Sequence, residues 1–127
     1  LLDDSYNANP ESVRAAIDLL AAMGAQRRIV VLGDMLELGA AAPQLHRSVG
    51  RHVALAGIDV LLATGDLSEQ TAAAAQEAGM RGDAVRHFRD RETLCRHLAS
   101  LLRPGDAVLV KGSRATRLDE IVAAVLR

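Results

Sequence analysis

The chain is predicted to fold as a doubly wound α/β domain, a mainly parallel sheet of about five strands with helices on both faces. Three observations predict it. Short apolar runs recur along the 127 residues, each with the unbroken hydrophobicity of a strand covered on both faces. Segments with apolar residues at helical spacing separate these runs. The links are short, and strand–helix–strand units joined this way lay their helices on the two faces of a parallel sheet through right-handed crossovers.

Leu1-Leu2 is the first strand-like run, and the helix after it has Asn9 as N-cap, Pro10 at its first position, an inward stripe of Val13, Ile17 and Leu20, and Gly24 beyond its end. Ile29-Val30-Val31-Leu32 is the second strand. A helix from about Pro43 turns Leu45, Val49, Val53 and Ala56 inward and stops at Gly57. Val60-Leu61-Leu62-Ala63 follows as the third strand, then an Ala-rich helix after Ser68 that ends at Gly79. The fourth strand runs from Val85 to Phe88, and the next helix starts at the Asp90 cap and stops before Pro104. Val108-Leu109-Val110 is the fifth strand, and Leu118, Ile121, Val122 and Val125 mark a last helix. In outline the arrangement is Rossmann-like.

A chain of this length forms one domain, residues 1–127, and buries roughly two thirds of its unfolded surface without a disulfide or metal staple. Half of it is hydrophobic but only 2% is aromatic, so Ala, Leu, Val and Ile must build the core. With so few rings for bases to stack on and a net charge of -1, general nucleic-acid binding is excluded. Cys95 is the lone cysteine; among Leu94, Leu98, Leu101 and Leu102 it is expected to be buried and inert. No signal peptide and no apolar run near the ~18 residues of a membrane span is present, so the expected setting is a reducing cytoplasm with no membrane partner. The chain opens on Leu1 in what reads as mid-strand, without an initiator Met. A fragment of a longer protein is expected.

Three polar segments each follow a strand-like run and precede a helix: Asp3 to Pro10, Gly33 to Gly39, and Lys111 to Arg114. In an open parallel sheet, loops leaving the carboxyl ends of strands gather on one edge, where ligands bind. In the first, Asp4 suits sugar hydroxyls or a hydrated Mg²⁺, Tyr6 can lie against a flat ring, and the Asn7 amide can donate or accept. Asn9 fits a helix cap better than a ligand contact. In the second, Asp34 and Glu37 are equally caps, solvated charges or ligand contacts, while Leu36 and Leu38 plug the end of the sheet. In the third, Lys111, Arg114 and nearby Arg117 gather three cations, with the Ser113 hydroxyl, at or near a helix N-terminus, where the dipole disfavours positive charge unless an anion rests there.

No G-x-x-x-x-G-K-[ST] loop and no G-x-G-x-x-G fingerprint occurs. This domain does not hold a triphosphate by itself. His46, His52, His87 and His97 are dispersed, without a metal-ligand partner at i+3 or i+4; surface or strand-end roles are expected, with His46 facing the second loop's side.

DDSYNANP, then VLGDMLELG, His46 with Val49-Gly50, and VLVKGSR near the end together resemble the C-terminal domain of the Mur ligase family, over nearly the whole chain. The resemblance implies the C-terminal part of an ATP-dependent ligase that adds D-Ala-D-Ala to a UDP-N-acetylmuramoyl tripeptide through an acyl phosphate, in the cytoplasmic stage of peptidoglycan precursor synthesis. It implies that the phosphate-gripping loop and most Mg²⁺ ligands belong to a central domain and the UDP sugar to an N-terminal one, both partners of this domain and absent here. Asp4 then corresponds to the family acid that reaches the ATP ribose, with Tyr6 and Asn7 close by. Asn9, Asp34, Glu37, Lys111, Ser113 and Arg114 are the candidates for substrate contact. The fragment alone is expected to be inactive. A receiver domain of two-component signalling shares the coarse layout, with Asp3-Asp4 as acid pair, Asp66 as phosphoacceptor and Lys111 after the fifth strand, and is the alternative.

Overall fold

The computed structural model describes residues 9–112 together with the backbone of residues 2–3. Asp4, Tyr6, Asn7, Ser113 and Arg114, and the last helix expected around Leu118 to Val125, lie outside the described residues. The elements are β1 (Leu2–Asp3), α1 (Pro10–Ala21), β2 (Arg27–Leu32), α2 (Ala42–Leu55), β3 (Val60–Thr64), α3 (Ser68–Glu77), β4 (Val85–Phe88), α4 (Arg91–Leu101) and β5 (Asp106–Lys111). The sheet has five strands in the order β1-β5-β2-β3-β4, and every pairing is parallel.

Local chemistry places the helices as the sequence predicts. The Asn9 side chain accepts from the Ser12 amide at 2.9 Å, and the Ser12 hydroxyl accepts from the Asn9 amide at 3.2 Å, a reciprocal cap with Pro10 at the first helical position. Asp90 caps α4 with its side chain, accepting from the Thr93 amide at 2.7 Å. The pleat of the strands then sorts apolar side chains into two layers. On one face, Val30, Leu32, Leu61 and Leu109 meet Val13, Ile17 and Leu20 of α1, Val49 and Val53 of α2, and Ala72 and Ala75 of α3. On the other, Ile29, Val31, Leu62, Val108 and Val110 meet Leu94 and Leu98 of α4. Helices therefore cover both faces, and the chain changes face between α3 and α4.

Two details differ from the sequence reading. β4 is an edge strand in which only Val85 and Phe88 are buried; Arg86 is exposed, its guanidinium 5.4 Å from the Phe88 ring centre. Cys95 is half-buried at the margin of the α4 layer, not enclosed by it. Gly50 shows why α2 and α3 approach so closely: a Cβ there would stand 2.1 Å from the Thr71 carbonyl oxygen. Among the described residues no helix is long and apolar enough to cross a membrane.

At the amino end of the sheet, Arg27 of β2 grips Asp106 of β5 with two bonds of 3.0 and 2.7 Å, and also donates to the Leu101 carbonyl at 2.7 Å. The Asp106 carboxylate is almost fully buried. The hydrogen bond from Arg27, with that from the Arg103 amide, holds the Asp106 carboxyl below the usual carboxylate range. The folded chain therefore binds a proton there less readily than the unfolded chain does. The stabilisation is complete above that range and lost as pH falls through and below about pH 4. Asp106→Asn is expected to destabilise the fold by roughly 2 kcal/mol at neutral pH and to flatten the acid limb of the stability profile, read by urea unfolding between pH 3 and 7; an unchanged acid limb would remove Asp106 as its source.

Candidate functional site

Because all strands run parallel, their carboxyl ends share one edge. There the register sets Asp3 of β1 beside Val110 and Leu32 of β2 beside Lys111, and the Gly33 amide donates to the Lys111 carbonyl at 3.0 Å. The segments that leave β1, β2 and β5 thus start from three adjacent strands. The motifs singled out in the sequence begin at one rim.

The second loop is the best defined part of this rim, and it is tied down twice. The Asp34 carboxylate accepts from the Leu67 amide at 3.2 Å and from the Ser68 amide and hydroxyl, both at 2.8 Å. It supplies the N-terminal cap that α3 lacks from its own residues. Gly65 makes room for it: its φ is +111°, and a Cβ there would fall 2.4 Å from an Asp34 oxygen. One residue on, the buried Met35 donates its amide to Nε2 of His46 at 3.0 Å, while Nδ1 of His46 lies 2.7 Å from the Ala42 carbonyl. A backbone amide can donate only to an unprotonated ring nitrogen, so the proton of this imidazole sits on Nδ1 and is given to Ala42.

Beyond Met35 the loop turns outward. Leu36 is 40% exposed, Leu38 packs partly against the core, and Glu37 between them is solvent-exposed with φ +63°. A left-handed conformation outside glycine costs about 1 kcal/mol and needs surroundings that impose it. Among the described residues no donor reaches the Glu37 carboxylate. Lys111 is 1% exposed, beside a narrow void between Val13, Met35, Val49 and Thr71 that is too tight for a water molecule.

The structure therefore separates the described candidates. Asn9 and Asp34 are occupied as helix caps, Lys111 lies beneath the rim, and Glu37 stands on it. His46 is the residue whose place the sequence left least defined; its burial is complete, and its partners are backbone groups. His87 has a strand-end role, its Nε2 2.7 Å from the Gly65 carbonyl. Among the described residues no three His, Cys, Asp or Glu side chains gather to hold a metal ion. A cleft of about 590 Å³ lies at the opposite, amino end of the sheet, between Ile58, Met80, Arg81 and Arg103; its guanidiniums Arg27 and Arg81 are paired with Asp106 and Asp83.

The strand order excludes the receiver alternative. Receivers follow the order 2-1-3-4-5, in which the first and third strands are neighbours. Here β5 and β2 stand between β1 and β3, three strand spacings or roughly 14 Å. Asp66 is exposed beyond Gly65, after a strand that is not a neighbour of β1.

Residues 1–114 match the family model described as Mur ligase, glutamate ligase domain, and the chain belongs to the Mur ligase family. It is 41% identical over 127 residues to the UDP-N-acetylmuramoyl-tripeptide–D-alanyl-D-alanine ligase of Escherichia coli, covering 98% of this chain and 26% of that protein. With the ligase of the same name from Synechocystis it shares 38% over 126 residues, 99% of this chain and 27% of the relative. Among solved structures, MurF from Acinetobacter baumannii superimposes with a TM-score of 0.85 at 29% identity over 97% of this chain and 27% of that one. MurF from Thermotoga maritima, in complex with ADP, gives 0.78 at 25% identity over 96% and 26%. The chain thus spans about a quarter of the length of these relatives.

Removing the cap that joins the second loop to α3 tests its structural weight. Asp34→Ala is expected to cost roughly 1–2 kcal/mol in urea unfolding, with Ser68→Ala costing less because it removes one of three donors; equal stability in Asp34→Ala and the parent would refute the assignment.

Proposed function

We propose that this chain is the C-terminal domain of a longer ATP-dependent ligase that joins D-Ala-D-Ala to a UDP-N-acetylmuramoyl tripeptide during peptidoglycan precursor synthesis in the cytoplasm. The observation that carries this reading is that the family's motif segments leave three adjacent strands at one rim, in a chain without a phosphate-gripping loop. A domain so built contributes half of a cleft. The central domain of the same enzyme supplies the triphosphate and Mg²⁺ sites, and the N-terminal domain holds the UDP sugar.

In the proposed reaction the terminal carboxylate of the tripeptide is activated as an acyl phosphate at the expense of ATP. The amino nitrogen of the dipeptide then bonds to the acyl carbon, the carbon–oxygen bond to phosphate breaks, and the amine gives up a proton. Bound Mg²⁺ would offset the phosphate charge. This chain's own residues act on position. Asp4, Tyr6 and Asn7 face the nucleotide's sugar and base. Glu37 receives the ammonium end of the dipeptide, while Ser113 and Arg114 receive its carboxylate. Lys111 supports that segment from beneath, and Asn9 and Asp34 hold the helices that frame the cleft. Closure of the domain excludes water from the acyl phosphate and orients the amine, tasks a lid performs without owning the triphosphate site. The net charge of -1 suits small substrates and the enzyme's own domains over nucleic acid.

Two measurements test this. The isolated chain is expected to release no phosphate from ATP in the presence of both substrates, and turnover by it alone would overturn the reading. In a polypeptide that carries the other two domains, Glu37→Gln is expected to raise KM for D-Ala-D-Ala about tenfold, through loss of one charge-assisted contact, with KM for ATP unchanged; an unchanged dipeptide KM would remove Glu37 from the site.

A further inference from the structure

Glu37 is held in an unfavourable backbone conformation on a loop clamped two and three residues earlier, at Met35 and Asp34. Of these clamps, the one at Asp34 fastens the loop to α3, and the one at Met35 fastens it to α2. The second depends on a single side chain. His46 is 0% exposed and touches the loop through one bond, from the Met35 amide to Nε2. Its other nitrogen is spent on the Ala42 carbonyl at the start of its own helix. An apolar residue of similar size would fill the same space, so packing alone does not call for an imidazole here. What histidine adds is an acceptor aimed out of a helix at a loop amide that would otherwise be buried without a partner, a loss of about 1–3 kcal/mol if unmade.

We infer that His46 is a positioning residue: through the Met35 amide it sets the outward turn that presents Glu37, so that the amine-contacting loop is formed before the substrate arrives. This rests on the proposed ligase function for the role of Glu37, and on the structure alone for the latch. Orienting a contact in advance counts where a small misplacement of the reacting amine is costly. It acts on binding of the amine and leaves the nucleotide site untouched. His46 itself does not meet substrate.

Three variants separate the latch from mere filling of the core. His46→Gln keeps an acceptor within reach of the Met35 amide, His46→Asn is too short to reach it, and His46→Leu offers none. In the 127-residue chain, hydrogen exchange at the Met35 amide is expected to stay slow in the parent and in Gln, and to accelerate by about 100-fold or more in Asn and Leu. A long-range nitrogen correlation spectrum should show the parent imidazole with its proton on Nδ1. In the three-domain polypeptide, Asn and Leu are expected to raise KM for D-Ala-D-Ala about tenfold with KM for ATP unchanged, and Gln to restore the parent value. Where Leu fails to fold, the Gln and Asn pair carries the comparison. Unchanged Met35 exchange in Asn, or exchange that accelerates while the dipeptide KM stays at the parent value, overturns the inference. A raised KM in Asn together with an unaffected Glu37→Gln keeps the latch and discards Glu37 as its object.

Discussion

The sheet depends on where its last described strand goes. β5 pairs with β1 on one side and β2 on the other, and among the described residues β1 has no other strand partner. Leu109 is opposite Leu2 and Val30 at once, so segments from the two ends of the described chain pair along one side of the sheet. Both core layers draw on this strand: Leu109 belongs to the layer under α1 and α2, Val108 and Val110 to the layer under α4. The grip of Arg27 on Asp106 closes its amino end, and the Gly33 amide bonds its carboxyl end. The interior position of β5 also bears on Lys111, which is paired with Leu32 of β2 and buried at the strand end.

The carboxyl rim repeats one physical theme, which is that polar groups forced under cover are satisfied by backbone. Asp34 takes two amides and a hydroxyl at the start of α3; His46 takes one amide and gives to one carbonyl. No described side chain leaves a buried polar atom without a partner. Such bonds stiffen the base of the second loop because several act together where water has limited access. What the base does not satisfy stands at the tip. Glu37 carries its strain there and, among the described residues, meets no side-chain donor.

Periodicity and caps made most of the fold legible in advance. Asn9 and Asp90 announced their helices by residue type, and the five strand-like runs lie within or beside the observed strands. Spacing is a local property, and the features it missed are non-local. Strand order was hidden because pairing between β5 and β1 spans nearly the whole chain. Asp34 and Glu37 read alike as two acids on one loop; a reversal of direction at Met35 sends one inward to a helix start and the other out to solvent. His46 gave no motif because its partner is a main-chain amide, which every residue type but proline carries. Edge placement exposed Arg86, although its strand reads as apolar at both ends. For Asp4, Tyr6 and Asn7 the family resemblance supplied roles that composition alone left open.

The missing side chain at Gly50 has a mechanical consequence. With the backbone of α2 set directly against Thr71, these two helices lack the cushion of side chains that lets packed helices slide past one another. They form a single plate, fastened to the sheet by Val49, Val53, Ala72 and Ala75. Shear inside this layer is blocked, so a displacement of either helix carries the other with it.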